Sequence, residues 1–262
     1  MSEKSKYTFT DQLGREVVCH STPKRIISLV PSQTELLADL GLENEIAGIT
    51  KFCVHPETVF RTKTRIGGTK KLNFSQIESL NPDLILANKE ENVKEQVEKL
   101  MKDYPVWISD VNDVDSALEM IKKLGAICGK ADESSEMAAK IEKGFLDLKA
   151  GQKISVAYII WQNPLMTVGG DTFIHDMLER SGFENVFKQK RRYPETTIEE
   201  IQSLEPDFVF LSSEPYPFKE KHKKQFLEND LKATLVDGEF FSWYGSRMLQ
   251  AVPYFKELQS RF

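Results

Sequence analysis

Short apolar runs alternate with amphipathic stretches along the whole chain. The opening YTFTDQLGREVVCH has two alternating runs around a segment ending in Gly14, which supplies the positive φ of a turn, so a β-hairpin is predicted. RIISLV, from Arg25, is apolar on successive positions, as in a strand buried on both faces. It feeds PSQTELLADLGL, a helix stopped at Gly41, in which Ser32 and Glu35 have the Ser-x-x-Glu spacing of a capping box. NEIAGIT predicts a second strand, and residues 51–72 read as a loop-rich stretch. NFSQIESL then predicts a helix ended by Pro82, followed by the strand DLILA. NVKEQVEKLMKDY reads as an amphipathic helix, PVWISD as a strand and VDSALEMIKKLGAICG as a helix.

After Gly129 comes ADESSEMAAKIEKGFLDLKAG, free of proline. Its apolar residues Met137, Ala138, Ile141, Phe145, Leu146 and Leu148 recur at helical spacing, which predicts a long helix spanning roughly 27 Å at ~1.5 Å per residue. The pattern then starts again: a strand ISVAYIIW, a loop QNPLMTVGGD, a helix TFIHDMLERSGFENVF closed by Gly182, and a helix–strand stretch TTIEEIQSLEPDFVFLSS. A helix near KKQFLENDL, a strand ATLVD and a terminal helix SRMLQAVPYFKELQSRF, interrupted or bent at Pro253, complete the chain. IESLNPDLIL, beginning at Ile77, and IQSLEPDFVF, beginning at Ile201, share Ile-x-Ser-Leu-x-Pro-Asp and three apolar residues. Each follows a helix ending in Gly-x-Glu-Asn (GLEN at Gly41, GFEN at Gly182), and that common order points to internal duplication. The expected fold is α/β: two Rossmann-like lobes, residues 1–130 and 151–262, each a parallel sheet between helices, joined by one backbone helix over 131–150, with a ligand cleft between the lobes.

Composition narrows the function. The chain has 262 residues, of which 40% are hydrophobic and 29% charged, and a net charge of -5. That acidic balance argues against a nucleic-acid partner. No apolar run approaches the ~18 residues of a membrane span. Cys19, Cys53 and Cys128 make neither a disulfide framework nor a zinc module. Dinucleotide, P-loop, Gly-x-Ser-x-Gly and His-Glu-x-x-His patterns are all missing, and TVGGDT is at most a weak phosphate cradle. His222, in KEKHKK, reads as part of a solvated face, and His175 as structural. Cys53 and His55 would share one side of a strand but have no third ligand nearby. Binding without covalent chemistry, no catalytic residues, no protein metal site, no intrinsic cofactor and a monomer are therefore expected.

From RIISLVPSQTELLADLGL and IAGIT through NFSQIESLNPDLILA, and from FTDQLGREV to SWYGSRMLQAVPYF, the chain resembles the substrate-binding proteins of cobalamin and iron-chelate ABC importers. The resemblance implies two lobes on a rigid backbone helix, holding a corrinoid, a siderophore or haem for an ABC permease. It implies that Phe52 takes the place of an aromatic residue in the first-lobe loop, Thr69 that of a tryptophan before the first repeated element, and Tyr193 that of a tryptophan before the second. It also implies a permease-docking glutamate on each lobe: Glu199 on the second, and on the first Glu78, one turn along from Ser75, which occupies the matching place. The implied compartment is periplasmic or extracytoplasmic. The start MSEKSKYTFTDQLGREV has no apolar h-region, which would mean the cytoplasm if Met1 is native. The competing functions are a cytoplasmic corrinoid- or tetrapyrrole-binding protein without a permease, and a small-molecule transferase on the same lobes.

Aromatic residues fall at or next to the predicted loops at the carboxyl ends of strands: Phe52, Trp161, Tyr193, Tyr216, Trp243 and Tyr244. They offer flat contact area to a ligand, or pack into the lobes' own cores, as about half of them should. Arg191, Arg192 and Arg247 could meet a ligand's phosphate or carboxylate, or pair with neighbouring glutamates. Pro31, Ser32 and Gln33 begin a helix whose free N–H groups attract polar ligand edges, unless the capping box occupies them. His55 is placed to approach a metal carried by the ligand. On this reading Trp243→Ala weakens binding without unfolding the protein.

Overall fold

A computed structural model of the chain describes residues 7–148 and 154–262. The chain divides into two units: Met1–Val111, Asp115–Lys140 and Tyr244–Arg247 in the first; Asn112–Val114, Ile141–Trp243 and Met248–Phe262 in the second.

The first unit opens with the expected hairpin, β1 (Tyr7–Thr10) and β2 (Glu16–Cys19), in antiparallel register with Phe9 opposite Val17. Its turn is tied by buried Asp11, whose carboxylate accepts from the backbone N–H groups of Leu13 and Arg15, each at 2.9 Å. The chain then alternates strand and helix: β3 (Ile26–Ser28), α1 (Pro31–Asp39), β4 (Ile46–Ile49), α2 (Glu57–Thr62), β5 (Thr64–Arg65), a two-stranded ribbon of β6 (Gly67–Gly68) and β7 (Lys71–Leu72), α3 (Phe74–Leu80), β8 (Leu84–Asn88), α4 (Lys94–Leu100) and β9 (Val106–Ser109). The sheet has the order β5-β4-β3-β8-β9 and all its pairs are parallel. Every residue of β3, β8 and β9 is buried, which is why these strands read as unbroken apolar runs. The hairpin lies along the outer edge of β9, where the Gln12 N–H donates to the Ile108 carbonyl at 3.2 Å. Next come α5 (Val114–Ile127) and α6 (Ala131–Leu146). On α6, Ala138, Ile141 and Phe145 are buried but Leu146 is 78% exposed; one residue on from Phe145, it is rotated off the apolar stripe. Residues 149 and 150, at the end of the expected backbone helix, lie outside the described residues.

The second unit is built around β10 (Ile154–Gln162). It continues with β11 (Leu165–Thr167), α7 (Phe173–Arg180), β12 (Phe183–Asn185), α8 (Ile198–Ser203), β13 (Phe208–Ser212), α9 (Glu220–Leu227), β14 (Ala233–Val236), α10 (Glu239–Ser242) and α11 (Met248–Gln259). β10, β13 and β14 are parallel neighbours, β12 runs parallel to β10, and β11 is antiparallel to it. Two expectations change here. LMT, read as loop, is strand β11. The GFENVF segment leaves the helix at Gly182, with φ 80, and forms β12, whose Phe183 and Asn185 are buried. The helix α11 runs through Pro253.

The repeated element is the same device in both units. The helices end in a left-handed residue before the proline, Asn81 with φ 44 and Glu205 with φ 46, so the stop precedes Pro82 and Pro206. The aspartate that follows then hooks the amino end of the neighbouring strand. Asp83 accepts from the Lys24 and Arg25 N–H groups, both at 2.8 Å, just ahead of β3. Asp207 accepts from the N–H and the hydroxyl of Ser155, both at 2.8 Å, at the start of β10.

Candidate functional site

The carboxyl ends of the parallel strands carry the loops expected to meet a ligand. In the first unit, α1 starts at Pro31 with Val30 as N-cap and no side-chain cap. The expected capping box is absent because Glu35 is engaged elsewhere. Arg247 donates to it from Nε at 2.9 Å and Nη2 at 2.6 Å, with both side chains 10% exposed. A carboxylate held bidentately by a guanidinium cannot also reach back to the helix start. Segment 244–247 lies on that start, since a Cβ on Gly245 would sit 3.2 Å from the Ser32 carbonyl oxygen. The Tyr244 hydroxyl donates to Glu91 at 2.8 Å, and burial pushes its phenol well above the ordinary range. The Gln33 side chain donates to the Ser109 hydroxyl at 2.6 Å. Pro31, Ser32, Tyr244 and Arg247 thus gather in one polar patch, with Ser32, Tyr244 and Arg247 buried.

Phe52 and Thr69 come together a short way along the same unit. They line an open cavity of about 610 Å³ with Lys51, Gly67, Lys71 and Asn73. Phe52 is 48% exposed, and the Lys51 ammonium stands 5.0 Å from its ring centroid. Residues 51–56 form no strand, so Cys53 and His55 are not paired on one face as expected. Cys53 is buried against the Thr50 hydroxyl at 3.2 Å, and burial raises its thiol. His55 is half-buried ahead of α2. Among the described residues, no three His, Cys, Asp or Glu side chains are grouped to hold a metal.

In the second unit, Trp161 at the end of β10 meets Tyr216, beyond β13, edge to face with centroids 5.7 Å apart. Trp161 is 39% exposed and donates its indole N–H to the Asn163 carbonyl at 3.2 Å. His222 does not sit on a solvated lysine face. It packs 5.5 Å from Tyr216 and 5.6 Å from Phe218, its Nδ1 accepts the Lys219 N–H at 2.8 Å, and burial, then Lys221 and Lys219, push its pKa down. Tyr193 is half-buried with the Arg192 guanidinium 5.6 Å from its ring, while Arg191 is exposed, 3.6 Å from Asp171. The glycine turn is no phosphate cradle. The N–H of Gly169 donates to the Arg192 carbonyl at 2.7 Å and that of Gly170 to the Lys190 carbonyl at 2.9 Å, and Cβ atoms there would lie within 2.5 Å and 2.2 Å of the Lys190 and Lys188 oxygens.

Trp243 is only 8% exposed. Its indole N–H donates to Glu214 at 2.9 Å, and the Ser242 hydroxyl donates to the same oxygen. Truncating Trp243 therefore opens the core as well as altering a contact surface, contrary to the expectation that the fold would ignore it. Glu214 was not singled out in the sequence. The available signal was its place in SSEPYP, directly after an apolar strand and two residues before an aromatic.

Both glutamates with an implied docking role are exposed. Glu199 stands in the first turn of α8, where its backbone N–H, then the Thr197 hydroxyl, hold its carboxyl below the usual range. Glu78 stands on α3, and Ser75, at the place matching Glu199 in the repeat, donates its hydroxyl to Asn73 at 2.8 Å.

Comparison with known proteins places these loops in context. The periplasmic binding protein family matches residues 26–235. An uncharacterized ABC transporter substrate-binding lipoprotein of Bacillus subtilis (strain 168) is 28% identical over 77% of this chain and 68% of its own. The vitamin B12-binding protein of Vibrio campbellii is 26% identical over 72% of this chain and 70% of its own. The solved structure of a periplasmic heme-binding protein from Pseudomonas aeruginosa superimposes with a TM-score of 0.78 at 18% identity, covering 90% of this chain and 92% of that one. With most of its length inside the match and two helix-covered α/β units as its fold, the chain belongs to the periplasmic binding protein family, whose members bind substrates for ABC transport and are not enzymes.

Proposed function

We propose that the protein is a non-catalytic receptor that captures a metal chelate, a corrinoid ahead of a siderophore or haem, and delivers it to an ABC permease. The observation that carries this reading is the half-exposed Trp161–Tyr216 pair at the carboxyl end of the second unit's sheet. Large flat rings kept at the surface, where folding alone would bury them, suit a large flat guest. Phe52, beside Thr69 at its cavity, adds an exposed ring on the first unit. The vitamin B12-binding relative supports the corrinoid over other chelates. Tyr193, with Arg191 on the same loop, and Pro31, Ser32, His55, Trp243, Tyr244 and Arg247 complete the proposed ligand-facing set; the last three act from buried positions by holding the loops in shape. Glu199 and Glu78 are the proposed permease contacts.

Calorimetric titration with cyanocobalamin, haemin and a ferric hydroxamate tests the reading. Saturable binding of cyanocobalamin, with the dye co-eluting on gel filtration, is expected. Binding of none of the three chelates overturns it.

A further inference from the structure

Glu214 stands just after β13, at the carboxyl end of the second unit's sheet, and the local structure is built around it. Its Oε1 accepts both the Trp243 indole N–H, at 2.9 Å, and the Ser242 hydroxyl. Its backbone carbonyl accepts the Ser212 hydroxyl at 2.6 Å. The facing position is Gly238, where a Cβ would come within 2.2 Å of Ser212 Oγ and 2.8 Å of Glu214 Cγ, so only a glycine leaves the slot open. Two donors on one oxygen fix the carboxyl plane. The other oxygen, Oε2, accepts nothing from the described residues and is not among their buried side-chain atoms that lack a partner, so it is not fully enclosed. A structural carboxylate would ordinarily be ion-paired; here the partners that hold it are neutral, and the charged neighbours, Asp237 and Glu239, are of like sign.

We propose that Glu214 is a specificity-determining residue whose Oε2 accepts an amide N–H from the ligand's edge, favouring a chelate bordered by neutral amides, as a corrinoid is, over one bordered by carboxylates, as haem is. This rests on the corrinoid reading above. A fixed acceptor oxygen rewards a donor and repels another carboxylate, and a site that reads one such group discriminates strongly because the mismatch leaves a buried polar group without a partner. Burial pushes the Glu214 carboxyl up, while the Ser242 and Trp243 donors pull it down. Work at pH 8 favours the ionised form.

The test is Glu214→Gln. Oε1 keeps its two donors, and an NH₂ group replaces Oε2, turning an acceptor into a donor. At pH 8, cyanocobalamin should bind about tenfold more weakly or worse, and haemin more tightly than to the wild type. A second measurement needs no substitution: wild-type protein is titrated with cyanocobalamin derivatives in which single peripheral amides have been hydrolysed to acids. At least one should bind about tenfold more weakly than the parent. Unchanged affinities in a folded Glu214→Gln protein, or equal binding of all the acids and the parent, overturn the proposal and leave the corrinoid reading standing. A wild type that binds haemin but not cyanocobalamin overturns both.

Discussion

The two units solve one end of their sheets alike and the other end differently. At the amino ends, α3–β8 and α8–β13 use the same words: a left-handed residue, a proline, and an aspartate that hooks the next strand. At the carboxyl ends the polar arrangements differ. The first unit buries a bidentate ion pair between Glu35 and Arg247 beside the start of α1. The second seats the Glu214 carboxyl on an indole and a hydroxyl and leaves one oxygen open. The amino ends answer to folding alone, so one solution serves twice. The carboxyl ends face the ligand in α/β proteins, and there the two units are free to differ.

That contrast can be broken at its strongest point first. Arg247→Ala should cost about 3–5 kcal/mol of stability in urea unfolding, because it leaves a buried carboxylate without its cation. A loss below about 1 kcal/mol would mean that the first unit's carboxyl-end pair is not structural. Gly238→Ala forces a methyl into the Glu214 slot and should cost about 1–3 kcal/mol, while also weakening cyanocobalamin binding. Trp161→Ala should leave the thermal midpoint nearly unchanged and reduce cyanocobalamin affinity by about 1–2 kcal/mol in calorimetry; an equal fall in both would make the ring a core residue. The smallest effects belong to the shared end. Asp83→Ala and Asp207→Ala should each cost about 1 kcal/mol and leave ligand affinity alone. For Asp207 the sign with pH follows from its environment. The Ser155 N–H and hydroxyl hold the carboxyl below its ordinary value, so its contribution is present above the unfolded pKa and fades as pH falls through the folded one. Asp207→Ala should therefore flatten the acid limb of stability against pH.

The parts of the fold that show in the sequence are those governed by neighbours in the chain. The apolar runs of β3, β8, β10 and β13 and the repeated helix–strand joins depend on local burial and on turn residues, and both appear as pattern. Strands β11 and β12 escaped because each is three residues long without a flanking apolar run as long as RIISLV around β3. The aromatic pair of the proposed site was legible, since Trp161 ends a predicted strand, Tyr216 falls in a predicted loop, and the two rings meet. The site was illegible wherever a partner arrives from far away. Nothing near Glu35 announces Arg247, so local spacing suggested a cap in place of an ion pair. Nothing near Glu214 announces Ser242 and Trp243, so a carboxylate in a loop looked like ordinary solvated charge.

The terminal hairpin lies outside the family match, which begins at residue 26, yet Asp11 and Gln12 supply hydrogen bonds to both backbone groups of Ile108 on β9. Trimming the gene to the matched region would strip away that cover and leave a bare row of amides and carbonyls open to strand addition from another copy. Shortened versions should precipitate at concentrations where the longer chain stays clear, so anyone choosing where to begin an expression clone would do well to keep the first two strands.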